Sequence, residues 1–551
     1  MNIAMSIQGW PLRLRRLFAV LLLISCVAVG CARSEPKADL VIINGPDPET
    51  LDPALGISIE GLRVIAALFE GLTRYDPQTA RPIPGLAKSW EISPDGRIYT
   101  FHLRDNLQWS QGEPITADDV VYSWQRVLDP DTAAEYAGQL YSVKNAEARA
   151  KGELKDPSQV GVHALDSRTV RVELNHPTPF FLDLCAFQTL AVVPRKFIET
   201  HGENWMRQHP LPTSGPYTVE SWLLNDKIRL VKNPYYWDAA NTRSAVIDLL
   251  PISAPSTALN LYESGEADII WDRENLPYEL TDVLSKRPDF HTFPFLATYF
   301  IRCNTTRKPF NDPRVRKALA LSIDKQRLVE RFLRGGEKPA GHLVPDGTAN
   351  YITPPDLGYN PDEARRLLAE AGYPGGKDFP AVDYLFDSAS GGGKIHLKIG
   401  IEMQQMWQEK LGIHVGLKEM EKPVYLDAQR NTNYDLTRSS WVGDYNDPNT
   451  FLDLFRSDNG NNRTGWNNPH YDNLMAQADE EVDPRKRAEI LRDAETILVR
   501  DEAPIIPIYF YVGFNYYNPA KIGGVYPNIL DDHPFNAIYK IKGAMEAAMK
   551  R

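Results

Sequence analysis

The residue of this sequence best suited to bind a charged group is an aspartate that stands between aromatic residues. Asp444 lies in the segment WVGDYNDP (441–448), directly after the strand-like run 434–440. Asp447 followed by Pro448 is typical of a helix start, so Asp444 has no capping role of its own. A carboxylate near aromatic rings needs a partner to remain charged. Asp444 is therefore either a solvated turn residue with an Asx-type hydrogen bond or a residue that awaits a cationic ligand.

Sequence motifs of the common catalytic and nucleotide-binding sites are absent. The chain contains no G-x-S-x-G, H-E-x-x-H, G-x-x-x-x-G-K-[ST] or G-x-G-x-x-G segment, and its 11 histidines lack the spacing of metal ligands. Carboxylate pairs occur, but an acidic chain contains many of them by composition alone. These observations favour a binding protein over an enzyme, with no cofactor and no metal.

The composition is that of a soluble globular protein with more than one domain. The chain has 551 residues, of which 43% are hydrophobic and 24% charged, and its net charge is −11. An excess of acidic residues argues against binding to nucleic acid or to an anionic membrane surface. No internal repeat is visible, and no later segment is apolar over a length that spans a bilayer.

The N-terminus has the pattern of a bacterial lipoprotein signal peptide. Its basic part consists of Arg13, Arg15 and Arg16. The apolar run 17–30 is too short for a transmembrane helix, and small residues precede Cys31 as in a lipobox. We therefore predict a signal peptide over 1–30, a lipidated Cys31 and a tether over 31–37. Cys26 is a poorer candidate for lipidation, and an ordinary signal peptide with an incidental cysteine is the alternative.

The two remaining cysteines are interpreted as buried free thiols. Cys185 and Cys303 are far apart in the chain, and each stands in a hydrophobic stretch. A disulfide between them is possible in an oxidising compartment. Cysteine in apolar surroundings more often behaves as a small hydrophobic residue, which favours the free thiols.

Hydrophobic periodicity predicts an α/β protein with two lobes. In the first half, short strands such as 40–43 and 170–174 predominate, and Thr116 with Asp119 forms a capping box. In the second half, helix starts at Asp312-Pro313 and Asn360-Pro361 accompany a βαβ pattern over 382–417. The run 505–512 is β-branched and aromatic, as expected of a buried strand. Two lobes without a catalytic motif are typical of a cleft that closes on a ligand.

Ordered segments along most of the chain carry a family resemblance. They are LDP (51–53), LFEGL (68–72), PGLAKSW (84–90), YTFHLR (99–104), WSQG (109–112), TADDVVYSW (116–124), GPY (215–217), FNDPRVR (310–316) and LLAEAGY (367–373). With these, the sequence from about 39 to 542 resembles the periplasmic oligopeptide-binding proteins of the bacterial extracellular solute-binding family 5. Members of that family are the capture subunits of ABC importers.

The resemblance implies a two-lobed periplasmic-binding-protein fold of type II, cluster C, with an extra domain in the first lobe. The first lobe would comprise 38–71, 195–296 and 513–551, the extra domain 72–194, and the second lobe 297–512. The ligand peptide would lie extended between the lobes and add to the cleft as a strand does. Its main chain would then supply most of the affinity.

The resemblance also implies the roles of individual residues. Asp444 matches the aspartate that binds the peptide's α-ammonium group. The other matching cleft positions are Tyr136, Trp441 and Tyr511, which line the ligand, Ser440, whose backbone pairs with it, and His396 and Arg438, which meet its C-terminal carboxylate. For the three aromatic residues, ordinary core packing is the alternative.

Several positions depart from the family pattern. Many relatives join two cleft positions by a disulfide, and here these are Ala297 and Val442, so the link is absent. Lys422 replaces a cleft tryptophan, Gln429 an arginine, and Arg302 a glutamate. Side-chain preference is therefore not transferable from relatives.

One further departure concerns peptide length. Relatives place a lysine for longer ligands where this chain has Leu333. The adjacent Arg334 would point about 100° away on a helix. We therefore expect tripeptides to bind better than tetrapeptides, unless Arg334 or Arg302 reaches the longer ligand's carboxylate.

The function that follows is a lipid-anchored protein of the periplasm or cell surface that captures short peptides as a monomer. It would deliver them to an ABC transporter permease and ATPase complex, with no nucleic-acid partner. The alternatives are the same fold with a murein peptide or another non-standard ligand, and a receptor or chaperone without an import role. A secreted glycan hydrolase would need two carboxylates that face each other, about 5–5.5 or 6.5–9.5 Å apart. Peptide sequence, length range, host envelope and membrane remain open.

Overall fold

The computed structural model describes residues 36–387 and 393–541. The predicted signal peptide, Cys26, Cys31 and the tether up to residue 35 lie outside these residues. Among the helices of the described residues, none has both the length and the hydropathy needed to cross a bilayer.

The strands are β1 (Leu40–Ile43), β2 (Thr73–Tyr75), β3 (Pro82–Pro84), β4 (Ala87–Ile92), β5 (Ile98–Leu103), β6 (Val162–Asp166), β7 (Thr169–Glu173), β8 (Tyr217–Leu223), β9 (Lys227–Lys232), β10 (Val246–Leu250), β11 (Ile269–Trp271), β12 (Phe290–Cys303), β13 (Lys338–Pro339), β14 (Val382–Asp387), β15 (Val415–Met420), β16 (Leu436–Val442), β17 (Ile505–Tyr517), β18 (Ile522–Gly523) and β19 (Tyr539–Lys540).

The helices are α1 (Ile59–Leu68), α2 (Ala117–Val127), α3 (Ala146–Ala150), α4 (Phe181–Leu184), α5 (Arg195–His201), α6 (Pro255–Ser264), α7 (Thr281–Leu284), α8 (Pro313–Leu321), α9 (Lys325–Leu328), α10 (Pro361–Glu370), α11 (Gly393–Leu411), α12 (Lys422–Arg430), α13 (Asn449–Leu452), α14 (Pro469–Glu480) and α15 (Pro484–Thr496).

A mixed sheet runs through both halves of the described chain. Its strand order is β15-β14-β16-β12-β17-β11-β1-β10-β9-β8, and β13 pairs with β17 off this path. The long strands β12 and β17 stand at its centre. The first part of β12, Phe290–Pro294, pairs with the last part of β17, Val512–Tyr516. The last part of β12, Thr298–Arg302, pairs with the first part of β17, Ile505–Phe510. The register shifts between Pro294 and Thr298, so the regular ladder is interrupted where the two halves meet.

A second sheet forms a separate layer with its own core. It has the order β4-β5-β7-β6, and all its neighbouring strands are antiparallel. Trp124 of α2 packs into this core, where the side chain is fully buried and its indole N–H donates to the Leu190 carbonyl at 3.0 Å. The buried cysteine Cys185 belongs to the same core. Both Cys185 and Cys303 are free and buried, which confirms the interpretation as free thiols.

Local sequence signals account for most helix starts. Ser58 accepts a hydrogen bond from the Gly61 backbone N–H at 3.3 Å at the start of α1. At the start of α10, the Asn360 side chain accepts a hydrogen bond from the Glu363 backbone N–H at 3.1 Å. The predicted βαβ unit is confirmed, since β14 and β15 are parallel around α11.

Two elements differ from the sequence prediction. The regular helix expected around Leu333 and Arg334 is instead the short α9, followed by a π-helical turn over Val329–Leu333. The strand expected over 505–512 continues to Tyr517, because its C-terminal part pairs with the first residues of β12.

Candidate functional site

One edge of β16 is open. β14 pairs with β16 at Leu436 and Thr437 only. On its other side, β16 pairs with β12 along the whole strand, with Ser440 opposite Tyr299 and Val442 opposite Ala297. Within the described part of the chain, no strand therefore covers the first edge from Arg438 to Val442. Unpaired backbone groups on such an edge can accept an added strand.

The turn after β16 presents Asp444. The Gly443 backbone N–H donates to the Leu296 carbonyl at 2.7 Å, and a Cβ at Gly443 would lie 2.6 Å from Leu296 Cδ2. Glycine thus permits the turn to approach the central strand closely. The Asp444 backbone N–H donates to Thr450 Oγ1 at 3.1 Å, which ties the turn to α13.

The Asp444 carboxylate is half-buried and has no ion-pair partner among the described residues. Burial raises its pKa to about 6, and a hydrogen bond from Gln139 offsets part of that shift. Burial raises the pKa of Tyr136 to about 12, and the charge of Asp444 adds to this effect. The Tyr136 ring meets Phe187 edge-on, with 5.2 Å between centroids. Asp444 therefore faces Tyr136 and Gln139. A cationic ligand would offset the cost of keeping its carboxylate charged in this partly buried position.

Three contacts hold the segment that follows Asp444. Both guanidinium nitrogens of Arg487 bind the Asp447 carboxylate, at 2.8 and 2.9 Å, and each side chain is 2% exposed. Asp447 also accepts a hydrogen bond from the Asn449 backbone N–H at 3.0 Å, as its predicted capping role requires, although α13 starts one residue later than expected. Asn446 Oδ1 accepts the Ala349 backbone N–H at 2.9 Å.

Arg438, His396 and Tyr511 form a second cluster around Tyr299. The Arg438 guanidinium lies 5.4 Å from the Tyr299 ring centroid and 3.3 Å from the Asp387 carboxylate. The His396 ring lies 5.6 Å from that of Tyr299, and the Tyr511 ring 6.5 Å from it. The structure thus brings together three residues that are more than forty positions apart in the sequence.

The two cationic candidates differ in charge. Burial, together with the charge of Arg438, lowers the pKa of His396 to about 3, so the imidazole is neutral at pH 7. Burial opposes the charge of Arg438 as well, but Tyr511, Tyr299, Tyr425 and Asp387 raise its pKa above the ordinary value on balance. Arg438 is therefore the charged member of the pair, and His396 can supply a hydrogen bond only.

Three polar atoms at these positions are buried without a hydrogen-bond partner in the described residues. They are Arg438 Nε, His396 Nδ1 and Trp441 Nε1. Buried polar groups are normally satisfied, so such atoms mark places where a ligand or water completes the site. From Arg438 to Asp444 the chain spans at most about 20 Å, and an extended tripeptide about 10 Å. The side chains of Arg438 and Asp444 would reach across the remaining distance to the two ends of the peptide.

The positions that depart from the family pattern have structural roles. Gln429 is buried and donates to the Arg438 carbonyl at 2.7 Å, which fixes the backbone of the charged residue. Arg302 is also buried and donates to Ser439 Oγ at 3.1 Å and to the Asn461 carbonyl at 2.8 Å. Lys422 is exposed at the start of α12.

Leu333 and Arg334, the two residues of the length argument, are both engaged by other parts of the protein. Leu333 is 1% exposed in the core of the second half. Arg334 is not on a helical turn but takes a left-handed backbone with φ 53° after the π turn. Its guanidinium pairs with Asp282 and donates to the Arg331 carbonyl. Sequence reasoning expected a helical displacement of Arg334, and the π turn produces a different one.

Sequence reasoning missed Gln139, Tyr299 and Asp387. Gln139 is in no motif, although it follows Tyr136 by three residues, which is one turn of the 3₁₀ helix Glu135–Leu140. Tyr299 and Asp387 lie within strands whose pattern gave no functional signal. Only the register of β12 and β16 places Tyr299 beside Arg438.

Comparison with known proteins identifies the class. The family model "Bacterial extracellular solute-binding proteins, family 5 Middle" matches residues 81–463. The chain belongs to this family, the solute-binding proteins of peptide ABC transporters, and its two-lobed type II fold of mixed α/β content confirms the expected fold class.

Similar proteins span the same length. The periplasmic oligopeptide-binding protein OppA of Salmonella typhimurium (strain LT2) is 35% identical over 92% of this chain and 93% of its own. The periplasmic murein peptide-binding protein MppA of Escherichia coli (strain K12) is 37% identical over 89% and 92%. The crystal structure of a periplasmic oligopeptide-binding protein (OppAIV) from Borrelia burgdorferi covers 92% of this chain and all of its own, with 35% identity and a TM-score of 0.77. Members of this family are binding proteins rather than enzymes.

Proposed function

We propose that this protein binds short peptides in an extended form along β16 and delivers them to an ABC transporter permease and ATPase complex. The observation that carries the proposal is the open edge of β16 between Arg438 and Asp444. Asp444 binds the peptide's ammonium group, and Arg438 with His396 meets its carboxylate. Tyr136, Trp441 and Tyr511 line the peptide, and the Ser440 backbone pairs with it.

The interruption between β12 and β17 supports the division into lobes. The first lobe would comprise 38–71, 195–296 and 513–551, and the second 297–512. The four-stranded sheet would form the extra domain at 72–194. The two long strands would bend at the register shift when the cleft closes on a peptide.

Native mass spectrometry of the protein purified from cells tests the function. We expect co-purified peptides that dissociate on unfolding. Release of only sugars or metal ions would overturn the proposal. A murein peptide is the second candidate, because the relative named murein peptide-binding protein is 37% identical. D-amino acids or diaminopimelate in the released ligand would favour it.

Peptide length gives a sharper prediction. We expect tri-alanine to bind more tightly than tetra-alanine by about 1–2 kcal/mol, the usual cost of a charged group without its hydrogen-bond partner. Leu333 is buried, and Arg302 and Arg334 are held by other contacts. Calorimetric titration with tri-, tetra- and penta-alanine measures the difference. Equal affinity for tri- and tetra-alanine would show that another cation meets the longer ligand.

The lipid anchor is a separate proposal, supported by the sequence before Cys31. We expect Cys31→Ala to release the protein from the membrane fraction, while Cys26→Ala leaves it membrane-bound. Metabolic labelling with palmitate follows the modification directly. If the wild-type protein never incorporates the label, residues 1–30 act as an ordinary signal peptide.

A further inference from the structure

Phe180 joins the four-stranded sheet unit to the segment that carries Asp444. Its ring stacks on Tyr445 with 4.5 Å between centroids and an angle of 7° between planes. On the same ring, the Arg487 guanidinium lies 5.6 Å from the centroid. Tyr445 is 8% exposed and belongs to the hydrophobic core of the four-stranded sheet, although its neighbour in sequence is Asp444. The residue beside the ammonium-binding candidate thus packs into another part of the fold.

Polar contacts accompany this stack. The Asn446 backbone N–H donates to the Asp183 carboxyl group, three residues after Phe180. Farther along the same interface, Arg97 pairs with Glu480 at 2.7 Å. All these contacts connect residues 72–194 with residues 444–487. Separation of the two lobes requires that they break together.

We infer that Phe180 and Asp183, packed on Tyr445 and Asn446, are positioning residues of the peptide site; we call these four residues the clasp. The clasp holds the Asp444 turn in its binding geometry when the lobes are closed, and it therefore sets peptide affinity through side chains outside the proposed ligand contacts. This inference rests on the proposed function. It gives the extra domain a role in peptide affinity.

The physical reason lies in how Asp444 is attached. Its turn follows Gly443 and precedes a helix of one turn, so the local backbone alone does not fix the carboxylate. A ligand that must order this turn loses affinity by the cost of ordering. Phe180 supplies part of that order in the closed form, because aromatic stacking and the cation–π contact fix the Tyr445 ring.

A negative charge on Asp183 would destabilise the clasp, because its carboxyl group is buried there. Burial and the charge of Asp447 raise the pKa of this carboxyl group, the Asn446 N–H and Arg81 lower it, and the net value is about 8. The Tyr75 hydroxyl donates to the Asp183 backbone carbonyl, and the Cys185 thiol also faces the group. Since opening exposes the carboxyl group to water and lowers its pKa, closure takes up a proton. The clasp is therefore strongest at a pH below the carboxyl pKa of the open form. It weakens as the pH rises from there to about 8, and it changes no further above 8.

Two variants with opposite expected effects test the inference. Phe180→Leu keeps an apolar side chain but removes the stack, and we expect tri-alanine to bind about threefold to tenfold more weakly at pH 7. The preference for free over N-acetylated tri-alanine should persist, since Asp444 is intact. Asp183→Asn keeps an acceptor for Asn446 without the charge. It should bind more tightly than wild type at pH 9, and this advantage should shrink steadily as the pH is lowered to 5. Leu165→Ala, an exposed change on β6 of the same sheet, is the matched control.

Hydrogen exchange gives a readout that needs no ligand. We expect the backbone amides of 443–450 to exchange faster in Phe180→Leu than in wild type and Leu165→Ala. Unchanged exchange and affinity in folded Phe180→Leu overturn the clasp and leave the proposed function in place. Failure of the wild type to bind any peptide overturns the proposed function instead. Faster exchange in Phe180→Leu would then still show that the clasp stabilises this turn.

Discussion

Asp444→Asn is expected to weaken binding of tri-alanine by at least about a hundredfold. The substitution preserves the shape of the side chain but removes the charge that would pair with the peptide's ammonium in a closed cleft. Loss of one partner from a buried ion pair costs about 3–5 kcal/mol, and about 1.4 kcal/mol corresponds to a tenfold change in affinity. Isothermal titration calorimetry at pH 7.5 measures the loss.

A matched control separates this effect from a change in net charge. Asp226→Asn removes one negative charge from an exposed position between β8 and β9, and it should bind as the wild type does. N-acetylated tri-alanine should bind poorly to the wild type. Equal binding of the acetylated and free peptides would remove the assigned role of Asp444.

The pH dependence of affinity follows from the same carboxyl group. Burial raises the pKa of Asp444 to about 6 in the protein without ligand. Because an ammonium ligand binds the charged form, affinity should fall as the pH decreases below 6 and approach a tenfold loss per pH unit. For the stability of the ligand-free protein the sign is opposite, since a raised pKa favours the folded state at low pH and the contribution is lost as the pH rises through 6. In Asp444→Asn this pH dependence of affinity should vanish.

Arg487→Met is expected to lower the free energy of unfolding by about 3–5 kcal/mol, because it leaves the Asp447 carboxylate buried without its cation. Both side chains of this pair are 2% exposed, and the pair is joined by two hydrogen bonds. Urea unfolding followed by fluorescence and circular dichroism measures the change.

The same helix provides the control for this prediction. Arg492 of α15 pairs with its neighbour Asp493 at the surface. Arg492→Ala should cost no more than about 1 kcal/mol, as exposed ion pairs contribute little. If Arg487→Met were equally mild, the Asp447 carboxylate would have to be hydrated or protonated in the variant. Asp447→Asn combined with Arg487→Met would then show no additional loss.

Local signals in the sequence determined a large part of the secondary structure. Side chains at Ser58, Asn360 and Asp447 accept the backbone N–H groups that their types predict. Alternation and β-branching located β1 and β17, although not the full length of β17. Such features depend on residues within one or two turns, so the chain alone specifies them.

The sequence also marked Asp444 as a candidate binding residue, because a carboxylate without a capping role or a nearby cation stands out. The residues that surround Asp444 could not be identified from the sequence. Gln139, which donates to Asp444, is about three hundred positions away and belongs to no motif, although the candidate Tyr136 precedes it by three residues. The open edge of β16 is likewise a property of the sheet, since it exists only because β14 stops pairing after Thr437.

Tertiary structure alone decided which cations a ligand could meet. The sequence does not distinguish three arginines near strands or helix ends, which are Arg302, Arg334 and Arg438. In the folded protein, Arg302 is held by Ser439 and Asn461, and Arg334 by Asp282. Arg438 pairs with Asp387 and lies beside Tyr299, but its Nε is without a partner among the described residues. Availability for a ligand depends on which groups from distant segments already occupy a side chain, and strand register and lobe packing fix those groups.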